Sequence, residues 1–323
     1  MKRTILFITS LLLIVGCSKE PINYETTLVN REGVFYTNDT NKPYSGSVFS
    51  LYGDGKKKDE GTLKDGKMIR KTEWRWYVNG QREFEGTYKD GERNGLVTEW
   101  YENEQTRSEG TFKNGKKDGL DTWWFDNGQR EFEGTFKNGK KDGLQTWWYE
   151  NGKKSFEGTY KDGKEDGLHT WWFENGKKSS ELTYKDGKED GLVTEWYENG
   201  QKEGEGTWKD GKQEGFHTVW YDNGQKSSAK TYKDGKKDGL TTFWYENGQK
   251  QVEVTYKDEK EDGLGTEWYE KGQKKSELTY KNGVFDGLGT VWYENGQKQF
   301  EGIHKDGKPI SSKEWNEDGS VKE

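Results

Sequence analysis

Apolar and polar positions along this chain recur with a fixed long period, not along a helical stripe. Gly95, Gly119, Gly143, Gly167 and the five that follow to Gly287 stand 24 residues apart, as do Trp100, Trp124, Trp148 and their successors to Trp292. Within one period, Leu120 to Asp126 is rich in threonine and aromatics, the mark of a strand, and Arg130 to Lys137 reads as its return. Between them Asn127-Gly128 is a strong hairpin signal, because a type I′ turn needs positive φ at both positions. A longer glycine-bearing turn, Asn138 to Gly143, leads into the next unit. The predicted fold is all-β: an elongated array of antiparallel β-hairpins, with about eleven 24-residue repeats over residues 46–323. Tyr77 and Tyr52 continue the series upstream after a one-residue slip, and Trp315 opens a partial unit downstream. A lone hairpin buries too little to offset its ordering entropy, so stacking on neighbours is obligatory.

A two-residue turn fixes a register. It sets Trp123 opposite Phe132, Phe125 opposite Arg130 and Asp121 opposite Gly134. Applied elsewhere, the same rule pairs Trp147 with Phe156, Phe243 with Val252, Glu195 with Gly204 and Glu267 with Ser276, so that large faces large and Glu faces small. Arg75–Phe84, Trp171–Ser180 and Val219–Ser228 depart from that pattern. One face then carries Leu120, Thr122 and Trp124 beside Glu131, Glu133 and Thr135, nearly unchanged from unit to unit. The other carries Trp123 and Phe125 beside Phe132, Gly134 and Phe136, and it varies more. The uniform face reads as packing, the varied one as the contact surface.

Composition sharpens this picture. Of 323 residues, 34% are charged and only 28% hydrophobic, yet Trp, Tyr and Phe number 16, 18 and 14. The 44 glycines and a single alanine, Ala229, exclude an α-rich protein. The three prolines, Pro21, Pro43 and Pro309, lie outside the regular array, where no ladder N–H is needed. At the amino terminus, Lys2-Arg3 precedes an apolar run from Ile5 to Val15 that is too short to span a bilayer and has the layout of a secretory signal. It ends Leu13-Ile14-Val15-Gly16-Cys17, which resembles the lipobox of bacterial lipoproteins. That resemblance implies a signal peptide over 1–16, a lipidated Cys17, and a bacterial envelope location. With Ser18 after the cysteine, it implies the outer membrane in a Gram-negative cell. Acyl chains contribute about 0.8 kcal/mol per buried CH2, so several would hold the protein on a membrane. Residues 17–45 show no period and read as lipidated cysteine plus tether.

Phe132-Glu133-Gly134-Thr135-Phe136, followed by Gly139 and Gly143, resembles the MORN repeat. The full unit is closer to MORN-variant repeats, known in bacteria as YwqK-family antitoxins. The resemblance covers about residues 46–320. It implies a MORN-like hairpin array acting in protein–protein contact, sometimes at membranes, with Phe132, Gly134 and Phe136 structural. The sequence departs by one residue between the turn glycine and the next aromatic, and by Leu182, Lys230, Val254 and Leu278 at the glycine slot.

Sites for chemistry are sparse. Cys17 is the only cysteine, so intrachain disulfides are impossible. His169 and His217 share a slot two repeats apart, roughly 19 Å by strand spacing, too far to share a metal. They and His304 read as substituted repeat positions. No triad, P-loop or dinucleotide fingerprint is present, and carboxylates identical in every unit, such as Glu131, Glu133 and Asp142, read as solvated faces. Loops such as Asp162 to Gly167 lack the alternating acids of an EF-hand. The expectation is a non-enzyme without cofactor or metal. Its acidic balance of -7, with Lys and Glu interleaved, argues against nucleic acid. The candidate binding patch is Trp123, Phe132, Trp147, Phe156 and Trp171. Such aromatics suit packing, a protein partner, or a glycan or choline group. The leading reading is an envelope-anchored scaffold that binds another protein. A carbohydrate- or choline-binding module and an antitoxin or immunity protein are the alternatives.

Overall fold

The structure, a computed structural model, describes residues 19–322. The signal peptide expected over 1–16 and the lipidation expected at Cys17 lie outside the described residues. Two compact units divide the chain, Met1–Lys116 and Lys117–Glu323.

In the first unit, strands Gly46–Leu51, Lys57–Lys64, Lys67–Trp76, Arg82–Lys89, Glu92–Trp100 and Thr106–Lys113 run as an antiparallel meander. Residues 17–45, expected as a tether, build a cap from Ile22 onward. Ile22–Asn23 pairs in parallel with Val48 and Phe49. Asn23 then caps the single helical turn Tyr24–Thr27 through its side chain, and Leu28–Arg31 and Val34–Thr37 form a hairpin. Leu28, Val48 and Leu63 are buried together, with Ile22, Tyr24, Phe35, Tyr44 and Met68 packed around them. The cap covers the apolar end of the first repeat, as terminal units of repeat arrays do. It is not periodic, so the repeat pattern could not reveal it.

In the second unit, strands from Lys116–Trp124 to Lys308–Glu314 each pair antiparallel with the next. The predicted register holds at Trp123–Phe132, Asp121–Gly134, Trp147–Phe156, Glu195–Gly204, Phe243–Val252 and Glu267–Ser276. Phe125 does not oppose Arg130, however; Trp124 does. The turn is a three-residue loop in which only Gly128, at φ 84°, is left-handed, with Gly128 N–H donating to Phe125 O. A bulge at Glu131 takes up the extra residue and restores the register inward. The type I′ turn sits at the opposite end of the hairpin. There Asn138 and Gly139 have φ of 51° and 84°, and Lys137 pairs with Lys140.

A second bulge follows that turn. Gly134 faces Gln145 while Phe136 faces Lys141, so Asp142-Gly143-Leu144 lies against Thr135 alone. Gly143 takes φ 106° there, and the Thr135 hydroxyl donates to the Asp142 carbonyl.

The glycine slot has a local cause. A Cβ on Gly86 would lie 2.5 Å from Cζ of Phe84, and one on Gly302 would lie 2.6 Å from Cζ of Phe300. Each phenylalanine ring folds flat over the glycine two residues on. Where the slot holds Leu182, Lys230, Val254 or Leu278, the residue two before it is Ser180, Ser228, Val252 or Ser276. A side chain enters the slot only where no ring covers it. Gly86→Leu alone is therefore expected to destabilise the first unit by about 1–3 kcal/mol through overpacking. Adding Phe84→Ser recreates the Ser180/Leu182 combination, and the double variant should lose less than the sum of the two single losses. Hydrogen exchange of strands Arg82–Lys89 and Glu92–Trp100 measures this; strict additivity would exclude the coupling.

Candidate functional site

The two faces of the second unit can be built from the register. On the varied face, the predicted patch residues pack against one another. Phe132 is 2% exposed and lies between Trp123 and Trp147, with ring centroids 5.1 and 4.5 Å away. Trp123 and Trp147 meet edge to face at 5.6 Å, and Phe156 meets Trp171 at 5.0 Å. Phe132, Trp123 and Trp147 thus form one cluster, with Phe156 and Trp171 as a second ring pair. Phe132 presents no surface to a ligand, and the half-buried tryptophans present edges and tilted rings.

The slot between these rings is also interior. Asp121, Gln145, His169, Val193, His217 and Thr241 occupy it in successive units, and all are buried. Gln145 donates from Nε2 to Thr135 O at 2.8 Å, and His169 Nε2 lies 2.8 Å from Thr159 O in the equivalent place. His217 Nε2 does the same with Thr207 O at 2.9 Å. Thr135 and Thr159 are bulged threonines without a partner on the following strand, whereas Thr207 pairs there with Glu214. His169 is enclosed by Phe156, Tyr160, Trp171 and Tyr184. The three-histidine expectation of substituted repeat positions thus gains a role for two of them: His169 meets the carbonyl of a bulged threonine, and His217 the equivalent threonine carbonyl of its own unit.

The uniform face is the open one, the reverse of the sequence expectation. Its threonines, such as Thr122 and Thr146, are buried, but the residue two before each is not. Leu120, Leu144, Leu168, Leu192, Leu240 and Leu264 are each 49–54% exposed, one per repeat and about 10 Å apart at two strand spacings. Beside them runs a charged row. Lys178 pairs with Glu181 at 2.7 Å, and the same Lys/Arg–Glu pair recurs at Arg130, Lys154, Lys202, Lys250, Lys274 and Lys298. The lysine also sits over the tryptophan of the next strand, as Lys154 does over Trp172 at 5.9 Å and Lys250 over Trp268 at 5.5 Å. Exposed ion pairs and cation–π contacts are each worth about 1 kcal/mol or less. Their effect is to hold the lysines down along the face and leave the leucines proud. The leucine was visible in the sequence as a position held by leucine in nearly every repeat, with Phe216 the exception; it follows directly on the bulge glycine.

In the first unit, a groove of about 1050 Å³ is lined by Glu20, Pro21, Phe49, Leu51, Arg70 and Lys89, among others. Arg70 and Lys89 are direct cross-strand partners there. Sequence periodicity gave no sign of this groove, because its wall at Glu20-Pro21 belongs to the non-repeating segment.

Burial lowers the pKa of His169 and of His217 below the ordinary histidine value, with the hydrogen bond to the bulge carbonyl, and Glu165 near His169, acting in the opposite direction. The neutral ring is the folded form, so the unfolded chain binds more protons just below its pKa of about 6.5. The stability these residues contribute is complete above that pH and is lost as pH falls toward the depressed folded value. Protection factors of the amides in strand Lys164–Trp172, corrected for the intrinsic pH dependence of exchange, should fall on going from neutral to mildly acidic pH. His169→Gln, which copies Gln145, should keep the carbonyl bond and remove that fall in protection. An unchanged pH response in the variant would rule out the imidazole as its source.

No curated protein sequence matches the chain. Among solved structures, the crystal structure of TcdB2-TccC3-TEV aligns at 11% identity and a TM-score of 0.20, over 88% of this chain and 18% of that one. The Photorhabdus luminescens Tc holotoxin pore aligns at 10% identity and a TM-score of 0.19, over 85% and 18%. This chain spans less than a fifth of theirs, and likeness so weak carries no argument about function. The MORN repeat variant family matches residues 93–114, 117–138, 141–162, 165–186, 189–210, 237–258, 261–282 and 285–306. With eight units matched over more than half of its length, the chain belongs to the MORN repeat variant family.

Proposed function

We propose that this protein is a non-enzymatic, envelope-anchored repeat scaffold that binds another protein along the leucine face of its second unit. The observation that carries the reading is the row of half-exposed leucines, one per repeat. Exposed leucines repeated at one position along a sheet face put apolar surface in a regular row, and ordered apolar surface of this kind supports an interaction role. The flanking Lys–Glu row supplies a polar rim of the kind that surrounds protein contacts. An antitoxin or immunity role of the YwqK type would be one form of this protein-binding function. The lipobox-like run ending at Cys17 supports anchoring in the bacterial envelope.

Photo-crosslinking in the native cell tests the face. A crosslinking residue at Leu144 or Leu168 is expected to trap a discrete protein adduct, and one at Trp147 is expected not to. Glycan binding that Trp147→Ala abolishes, with the β-sheet spectrum intact, would transfer the function to the aromatic face. The anchor is read separately: palmitate incorporation should vanish in Cys17→Ser, and undiminished labelling would sink it.

A further inference from the structure

The groove of the first unit departs from the pattern of the later repeats in charge and in polarity. Thr72, paired with Thr87, stands in the row that Leu96 and its successors hold, and Ser47, paired with Thr62, stands there one hairpin earlier. Two residues before the leucine, Asp118, Asp142 and Asp190 each accept the backbone N–H of the next turn on a carboxylate oxygen. Arg70 holds that position in strand Lys67–Trp76, and there the Ile69 carbonyl accepts the turn N–H of Asp90 at 3.0 Å instead. The turn is thus satisfied without the side chain. The exchange of acid for base also sets Arg70 directly opposite Lys89, and like charges so placed are destabilising.

The fold leaves that pair without a counter-charge. Lys57 is bound to Glu60 at 2.7 Å and Lys71 to Glu73 at 2.6 Å, whereas Arg70 and Lys89 form no ion pair among the described residues. Glu92 opposes Lys89 from the far side, but its carboxyl lies against the next turn, where a Cβ on Gly115 would stand 3.7 Å from its Cδ. Glu20 is the one unpaired carboxylate among the described lining residues, so the groove keeps a positive balance. Hydroxyls continue the line: Ser47, Thr62, Arg70 and Lys89 are successive register partners on four strands, roughly 14 Å end to end. The Thr87 hydroxyl donates to Asn94 O at 2.8 Å, while those of Ser47, Thr62 and Thr72 have no partner among the described residues.

We propose that this groove binds a small anionic polyol, a sugar that carries a phosphate or carboxylate group. Arg70 and Lys89 take the anionic group, the guanidinium through two parallel N–H bonds. The free hydroxyls of Ser47, Thr62 and Thr72 meet the hydroxyls of the sugar, and half-buried Phe49 supplies an apolar wall beside them. A volume of about 1050 Å³ holds a molecule of this kind. The site lies wholly within the first unit and does not depend on what the leucine row binds.

Titration calorimetry of the full chain with glucose 6-phosphate tests it, with glucose and inorganic phosphate as the two halves of the probe. Glucose 6-phosphate is expected to bind in the millimolar range or tighter, and about tenfold more tightly than either half alone. Arg70→Gln and Lys89→Gln should each weaken it about tenfold. Neither should lower Tm, since each removes one member of a like-charged pair. Lys137→Gln, at the equivalent turn lysine of the second unit, should leave binding unchanged. Absence of binding at high millimolar concentration would overturn the proposal. So would binding that both groove variants leave intact, or equal affinity for glucose or for inorganic phosphate alone.

Discussion

The asparagine of the hairpin turn at Asn127-Gly128 and its equivalents ties that turn to the next by its side chain, and the remaining order of the array depends on that tie. Asn151 donates from Nδ2 to Glu174 O at 3.1 Å, Asn175 to Glu198 O at 3.2 Å, and Asn247 to Glu270 O at 2.9 Å. A parallel bond runs from Tyr197 to Trp220 O at 2.8 Å and from Tyr269 to Trp292 O at 2.8 Å. In the regular units these bonds join groups 23 residues apart. At the last unit, where one residue is lost, Tyr293 and Asn295 keep both bonds across 22, to Trp315 O and Glu317 O, so the tie fixes which groups meet and tolerates a change of spacing at the end of the array. Where Lys271 replaces the asparagine, an ion pair with Glu294 at 3.0 Å spans the same gap. Phe125 and Phe173 lack the tyrosine hydroxyl, and at those units the asparagine is left to make the tie.

Once successive hairpins are held in line, equivalent side chains fall into straight rows and each row has one environment. The ring row needs a flat ring over glycine, or a small residue followed by a larger one. The bulge row needs a glycine because Gly143 and its equivalents take a left-handed backbone against a threonine side chain. Low overall hydrophobicity is compatible with this order. No row needs many apolar atoms when the neighbouring row supplies the other wall.

Much of this was legible in the sequence. Period, hairpins and cross-strand pairs followed from spacing, and Trp123–Phe132 stands where the two-residue turn placed it. It does so because a three-residue loop and a bulge at Glu131 cancel, two local irregularities that leave no mark on the pattern of residues farther in. The turn types were exchanged for the same reason: Asn127-Gly128 and Asn138-Gly139 are the same dipeptide, and only the flanking pairing distinguishes them. The amino-terminal cap was illegible because Tyr24, Leu28 and Phe35 meet Val48 and Leu63 through non-repeating contacts. The roles of the two faces were reversed by taking variation as the sign of a contact surface.

The reason for that reversal lies in the bulge. A bulged threonine leaves its carbonyl without a ladder partner, and a buried unpaired carbonyl costs roughly 1–3 kcal/mol. Gln145 and His169 each reach it from the next strand with different chemistry and the same geometry. Val193, Thr241 and Gly265 occupy the same slot in other units. Variation there records several solutions to one interior problem. The leucine row faces water, where no packing partner within the chain selects its residue, yet it hardly changes across the second unit. Uniformity at this exposed apolar position is what the partner proposed above, contacting successive repeats, would account for. Phe216 is the exception on that row, and it coincides with a changed bulge at Thr207 and with Ala229 in place of the glutamate.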